Sequence, residues 1–166
     1  APTAAALGIP ALPDAQPDPP AGVVELLPLV DHLIIGSKLA QTLSGESSES
    51  AMAFALCGTQ RACCVVTAGE KGCWYAQRGA SAVHVPGHKV NVVDTTGCGD
   101  VFHGVYAAAL ARGDSLPGAV ALANASAALK ATRPGGRLGI PDMERARAFL
   151  HGSHTQTREK IERDIK

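Results

Sequence analysis

The sequence predicts an α/β fold, a layered domain in which helices flank a mostly parallel sheet. Residues 62–67, Ala-Cys-Cys-Val-Val-Thr, form a short, continuously apolar run of the kind buried on both faces of a parallel sheet. Strand-like and helix-like segments alternate along the chain between glycine- and proline-rich turns. Two alanine-rich stretches, ending near residues 111 and 131, carry helix start and stop signals.

Taken in order, residues 1–21 are rich in proline (Pro2, Pro10, Pro13, Pro17, Pro19, Pro20) and alanine, and read as an extended or disordered lead-in. A short helix is expected over 23–29. Leu33-Ile34-Ile35 reads as a buried strand between Asp31 and Gly36. Ser37 is placed to cap a helix ending at Gly45, and Ser47 or Ser48 to cap another over 49–57, ended by Gly58. After the strand at 62–67, Gly69-Glu70-Lys71-Gly72 turns the chain. Residues 73–76 and 81–85 then pair as antiparallel strands around Arg78-Gly79. Pro86-Gly87 leads to Val90-Asn91-Val92-Val93, which delivers the chain to Asp94. A helix starting between Gly97 and Asp100 runs to Ala111 and stops at Gly113. Asp114 or Ser115 caps a second helix from Leu116 to about Ala131. A glycine- and proline-rich loop over 132–141 precedes a last helix over 142–150 and a charged tail from 152 to 166. The expected organisation is therefore a lead-in, one domain over 22–151, and a tail.

Composition sets bounds. The 166 residues are 46% hydrophobic, 18% charged and 4% aromatic, enough chain to bury about two-thirds of its unfolded surface. A net charge of +0 gives no footprint for nucleic acid. No apolar run approaches the ~20 residues that span a bilayer, and no basic signal region opens the chain, so no membrane partner is expected. Cys57, Cys63, Cys64, Cys73 and Cys98 are odd in number and contain no Cys-x-x-Cys pair. They read as reduced and mostly buried, in a cytoplasmic protein without a structural metal. His151 and His154 lie in the polar tail and are not expected to bind zinc.

The chemistry concentrates at residues 94–100, Asp-Thr-Thr-Gly-Cys-Gly-Asp, which open directly into an apolar helix. The first N–H groups of a helix have no intrahelical partners, and the macrodipole places about half a positive charge there. Gly97, Cys98 and Gly99 are small enough for a phosphate to approach that backbone. Asp100 has two readings: a simple helix cap with Asp94 opening the turn, or a catalytic carboxylate beside a phosphate cradle. His103, one turn on, reads as a helix-face residue.

The stretch 94–100 resembles the Asp-Thr-Thr-Gly-Ala-Gly-Asp signature of the ribokinase/PfkB family of carbohydrate and nucleoside kinases. The resemblance extends back through Val65-Val66-Thr67-Ala68-Gly69-Glu70-Lys71-Gly72, like the family's Val-Val-Thr-Leu-Gly-x-x-Gly strand and turn. It extends forward through residues 123–135, Ala-Asn-Ala-Ser-Ala-Ala-Leu-Lys-Ala-Thr-Arg-Pro-Gly. Most of residues 60–145 is covered, with three motifs in order. The resemblance implies a ribokinase-like domain and ATP-dependent phosphorylation of a hydroxyl on a sugar or related small molecule. Asp100 matches the family's base, and the amides of Gly97, Cys98 and Gly99 match its anion hole. Thr67, Gly69, Gly72 and Asn124 match nucleotide contacts. Asp94, with the carbonyls of Thr96, Arg133 and Gly135, matches a monovalent-cation site, so the implied cofactors are ATP, Mg2+ and K+.

The sequence also departs from the family. Cys98 stands for the usual alanine and presents a thiol near the phosphates, a point open to oxidation. Gly36 and Leu39 stand where an Asn-x-x-Glu motif would organise magnesium, with Ser37 or Lys38 as neighbours. Gly139 stands where some members offer a serine hydroxyl to the cation. Family members are about twice this length, and the N-terminal half with its sugar-binding residues and lid is not recognisable. Three explanations stay open: a fragment, a missing half supplied by a second chain, or a protein no longer a complete kinase. A non-catalytic nucleotide-binding module is the alternative function, and a purely structural domain a third. Phe102-His103-Gly104 leans toward sugar rather than adenosine kinases, but the acceptor itself is not specified.

Overall fold

A computed structural model describes residues 6–8 and 22–152. Most of the proline-rich lead-in and the tail beyond residue 152 lie outside the described residues. The chain divides into two compact units, residues 1–87 and 88–166.

The first unit is built on a five-stranded sheet in the order β1-β2-β3-β4-β5, comprising Ala6–Gly8, His32–Gly36, Cys63–Thr67, Gly72–Gln77 and Val83–Pro86. β1, β2 and β3 pair in parallel, and β3, β4 and β5 antiparallel, so the sheet is mixed. β1 falls inside the proline-rich lead-in. The apolar run read as a strand is β3, with Cys63, Cys64, Val65 and Val66 all buried. On one face, Leu33 and Ile35 of β2, Cys64 and Val66 of β3, and Ala76 of β4 form a core with Ala40, Met52, Ala53 and Cys57. The last four come from the helices α2 (Ser37–Ser44) and α3 (Glu49–Cys57). Ile34, Cys63, Val65, Cys73 and Tyr75 alternate onto the opposite face and are buried too, which explains why β3 lacks the polar alternation of a half-exposed strand.

The helix ends follow local chemistry. α1 is short, Val23–Leu26, and tightens into a 3₁₀ turn over Leu27–Leu29, where Pro28 has no N–H to continue an α-helix. Gly36, not Ser37, is the N-cap of α2, and no side chain caps it. Ser48 caps α3 by accepting the Ala51 N–H at 3.3 Å. The Arg61 guanidinium donates to the carbonyls of Leu56 (2.7 Å) and Leu27 (2.5 Å), joining the end of α3 to the 3₁₀ turn. Trp74 of β4 stacks on its cross-strand partner His84 with ring centroids 4.0 Å apart.

The second unit is helical: α4 (Cys98–Ala111), α5 (Leu116–Ala131) and α6 (residues 143–152). α4 buries Val101, Phe102, Tyr106 and Ala109, which fall on one face. The burial of Phe102 alone is worth about 1.5–3 kcal/mol. Ser115 caps α5 by accepting the Gly118 N–H at 3.3 Å. α5 is buried on nearly every side, and its small residues permit close packing; the buried polar residues are Asn124, Ser126 and Lys130. Arg147 of α6 donates to the Asp114 carboxylate at 2.6 Å, fixing α6 to the α4–α5 turn. Among the described residues, no helix is long and apolar enough to cross a membrane.

Candidate functional site

In the second unit, the site is assembled around the start of α4. Val93 and Asp94 both donate their N–H groups to the Ala131 carbonyl, at 2.8 and 3.1 Å, which fixes the loop before α4 against the end of α5. Asp94 Oδ1 accepts the Thr96 N–H at 2.8 Å, and Oδ2 accepts the Gly135 N–H at 2.8 Å. Asp94 therefore organises the loop. The resemblance assigns a cation site to Asp94 and the carbonyls of Thr96, Arg133 and Gly135; in the fold, Thr96 and Gly135 give their amides to the Asp94 carboxylate. The Thr96 amide and hydroxyl, then the Gly135 amide, and last the nearby Lys130 ammonium, hold the Asp94 carboxyl down to about 2.

A carboxylate depressed in this way contributes stability that is fully present above its unfolded value near ~4 and is lost as the pH falls through ~2. Urea midpoints of the parent chain are expected to fall across that acid window. In Asp94→Asn the fall attributable to this group should disappear. A parent and variant with parallel pH profiles would contradict it.

Gly97 is the N-cap of α4 with φ +77°, a left-handed conformation that a side chain strains. A Cβ there would also come within 3.7 Å of the Gly136 carbonyl oxygen and 3.9 Å of Asp100 Oδ2. The Cys98 N–H already donates to the Thr95 carbonyl at 3.1 Å. Of the three amides read as an anion hole, Cys98 thus has an internal partner. The first intrahelical bond is Val101 N–H to Gly97, so the amides of Gly97, Cys98, Gly99 and Asp100 all lack an intrahelical acceptor, and of these Cys98 is taken by Thr95. Asp100 lies in the first turn of α4 with an exposed side chain, and unlike Asp94 its carboxylate is not held by backbone donors. His103 Nδ1 lies 2.7 Å from the Gly99 carbonyl oxygen; a carbonyl only accepts, so the ring donates, and His103 braces the helix. Cys98 is half-buried, and burial pushes its thiol up, a setting that disfavours the reactive thiolate. The other four cysteines are buried free thiols, and burial pushes Cys73 up to about 12.

On α5, Asn124 is 7% exposed and Lys130 is 0% exposed. Sequence reading missed Lys130. Its ammonium donates to the Asp94 main-chain carbonyl at 3.0 Å and lies 3.9 Å from Asp94 Oδ2. A lysine in the last turn of an alanine-rich helix reads as a solvated residue favoured by the helix dipole, and only the fold shows it buried.

In the first unit, Thr67 ends β3 and donates its hydroxyl to the Ile35 carbonyl at 3.4 Å. Gly69 has φ +57° and open space where a Cβ would stand. Gly72 has φ +89°, and a Cβ there would overlap the Val85 carbonyl oxygen. Gly72 is thus fixed by the backbone of β5. Gly36 ends β2, and Leu39 packs on the first unit's core, so neither position offers a carboxylate. Among the described residues, no group of three or more His, Cys, Asp or Glu side chains could hold a metal ion.

The pfkB family carbohydrate kinase pattern matches residues 3–143, and the chain belongs to that family. The ribokinase of Thermotoga maritima superposes with a TM-score of 0.67 and 33% identity, covering 76% of this chain and 44% of that one. The Arabidopsis thaliana ribokinase, solved with ribose and ATP, gives a TM-score of 0.67 and 26% identity over 76% of this chain and 42% of that one. The bifunctional protein HldE of Pseudomonas paraeruginosa is 40% identical over 90 residues, 54% of this chain and 19% of that protein. The α/β fold is ribokinase-like, and the chain spans less than half the length of these ribokinases and about a fifth of the HldE relative.

Proposed function

We propose that this chain carries the nucleotide-binding and phosphoryl-transfer half of an ATP-dependent kinase acting on a hydroxyl of a sugar or related small molecule. The observation that carries the reading is the start of α4. An exposed, untethered Asp100 carboxylate stands on the same helical turn as amides that lack intrahelical acceptors, while Asp94 is committed to the loop. Asp100 takes the proton of the acceptor hydroxyl as its oxygen bonds to the γ-phosphorus. The bond from that phosphorus to the bridging oxygen breaks, and ADP leaves. The amides of the first turn offset the charge on the transferring group, which is where such reactions need the protein most. Thr67, Gly69, Gly72 and Asn124 serve as nucleotide contacts. Mg2+ would be held chiefly by the ATP phosphates and water, a mode that needs few protein ligands, and would offset the phosphate charge.

The test is ADP release by the full chain with ATP and Mg2+ across pentoses, hexoses and nucleosides, beside calorimetric titration with ATP. Transfer to one class of acceptor is expected. ATP binding with no transfer to any acceptor would favour a nucleotide-binding module. Absence of ATP binding would overturn both.

A further inference from the structure

The family's monovalent-cation site maps onto Asp94, Thr96, Arg133 and Gly135, and the residues around Asp94 do not fit a free cation. Both Asp94 carboxylate oxygens already accept backbone N–H groups, from Thr96 and Gly135, each at 2.8 Å. The Asp94 main-chain carbonyl accepts from Lys130 at 3.0 Å. The Lys130 side chain is fully buried, with its ammonium 3.9 Å from Asp94 Oδ2. A potassium ion at Asp94 would share this position with a second, buried positive charge, and like charges at such a distance repel strongly away from water. We infer that the Lys130 ammonium takes the place of the monovalent cation and makes the Asp94 loop independent of potassium.

A second residue fits this reading independently. Gly139 is buried in the loop after α5, and a Cβ added there would stand 3.0 Å from the Lys130 carbonyl oxygen and 3.4 Å from Lys130 Cε. A serine at 139 would crowd the Lys130 carbonyl and lie in van der Waals contact with the lysine stem, so the glycine leaves this corner of the loop to Lys130. Lys130 is a positioning residue: it holds the Asp94 backbone, and Asp94 holds Thr96 and the approach to α4.

The inference draws on the phosphotransfer reading only for its link to ATP; its structural claim is tested without nucleotide. The full chain is melted in potassium, sodium and choline chlorides at equal ionic strength, and ATP is titrated in each. For the parent chain, superimposable melting curves and equal dissociation constants are expected. Lys130→Ala leaves space for an ion and should melt lower in choline and sodium, with potassium restoring part of the loss. Lys130→Met keeps an apolar stem in that space and should show no potassium response. A potassium-specific rise in melting temperature in the parent, or a tenfold tightening of ATP by potassium, would overturn the inference, as would a folded Lys130→Ala chain indifferent to potassium. If Lys130→Ala does not fold, the parent comparison decides. Failure to bind ATP in any buffer counts against the phosphotransfer reading and leaves the melting comparison in force.

Discussion

Asp100→Asn is expected to lower phosphoryl transfer by about 10²–10⁴-fold while leaving the dissociation constant for ATP nearly unchanged. An amide matches the carboxylate in size and still lets α4 begin at Cys98, so the helix and its amides should persist. In the proposed role, what is lost is the acceptor for the hydroxyl proton, worth about 3–5 kcal/mol of barrier. ADP-release rates and calorimetric ATP titration, run on parent and variant in parallel, separate the two quantities. Retained turnover would remove Asp100 from the base role. An equal loss of ATP affinity would mean that the substitution had disturbed the cradle.

The largest stability effect is expected at Gly72. Alanine there must adopt φ +89° and drive its Cβ into the backbone of Val85–Gly87. A backbone at φ +89° and ψ −130° strains a side-chain-bearing residue by roughly 1–3 kcal/mol and overpacking costs roughly 1–3 kcal/mol, so Gly72→Ala should destabilise the first unit by about 2–6 kcal/mol. Gly69→Ala meets open space at φ +57° and pays only the strain, about 1–2 kcal/mol. Urea unfolding of the two variants against the parent distinguishes these costs. Equal, small effects would mean that nucleotide contact rather than strand packing dictates the glycine at 72.

The elements most legible in the sequence were those with local causes. The runs of β2 and β3, the serine caps of α3 and α5, and the glycine at the start of α4 each announce themselves within a few residues. Ser37 shows the limit of that reasoning: a serine in a plausible cap position is the first helical residue, because β2 runs extended through Gly36 and the helix starts directly after it. β1 was hidden because Ala6–Gly8 has no strand-forming side chains, and its pairing with β2 comes from partners 26 residues on, such as Ala6 with His32. α5 reads as a helix from its alanines, but with apolar residues all round it carries no pattern to say which face meets which neighbour. At the site, spacing alone left Asp94 and Asp100 with open roles, and the family resemblance assigned them different ones, the base to Asp100 and the cation site to Asp94. The loop-holding role of Asp94 needs Thr96 and Gly135, whose amides reach Asp94 from 2 and 41 residues away. Lys130 was beyond sequence reasoning because its burial is a property of the packed helices. The Thr95–Cys98 backbone bond, which takes one amide of the proposed anion hole, is equally invisible until the loop has a shape.

The bond from Gly135 to Asp94 has a consequence for the order in which the protein is built. It closes a ring that contains the whole of α4 and α5, since the two residues are 41 apart. The local bonds within residues 94–98 shape part of the loop before α4, and the bonds to Ala131 and Gly135 can form only once α5 is complete. The loop that leads into α4 is therefore tied to a residue beyond the end of α5, so its shape depends on the finished hairpin rather than on α4 alone.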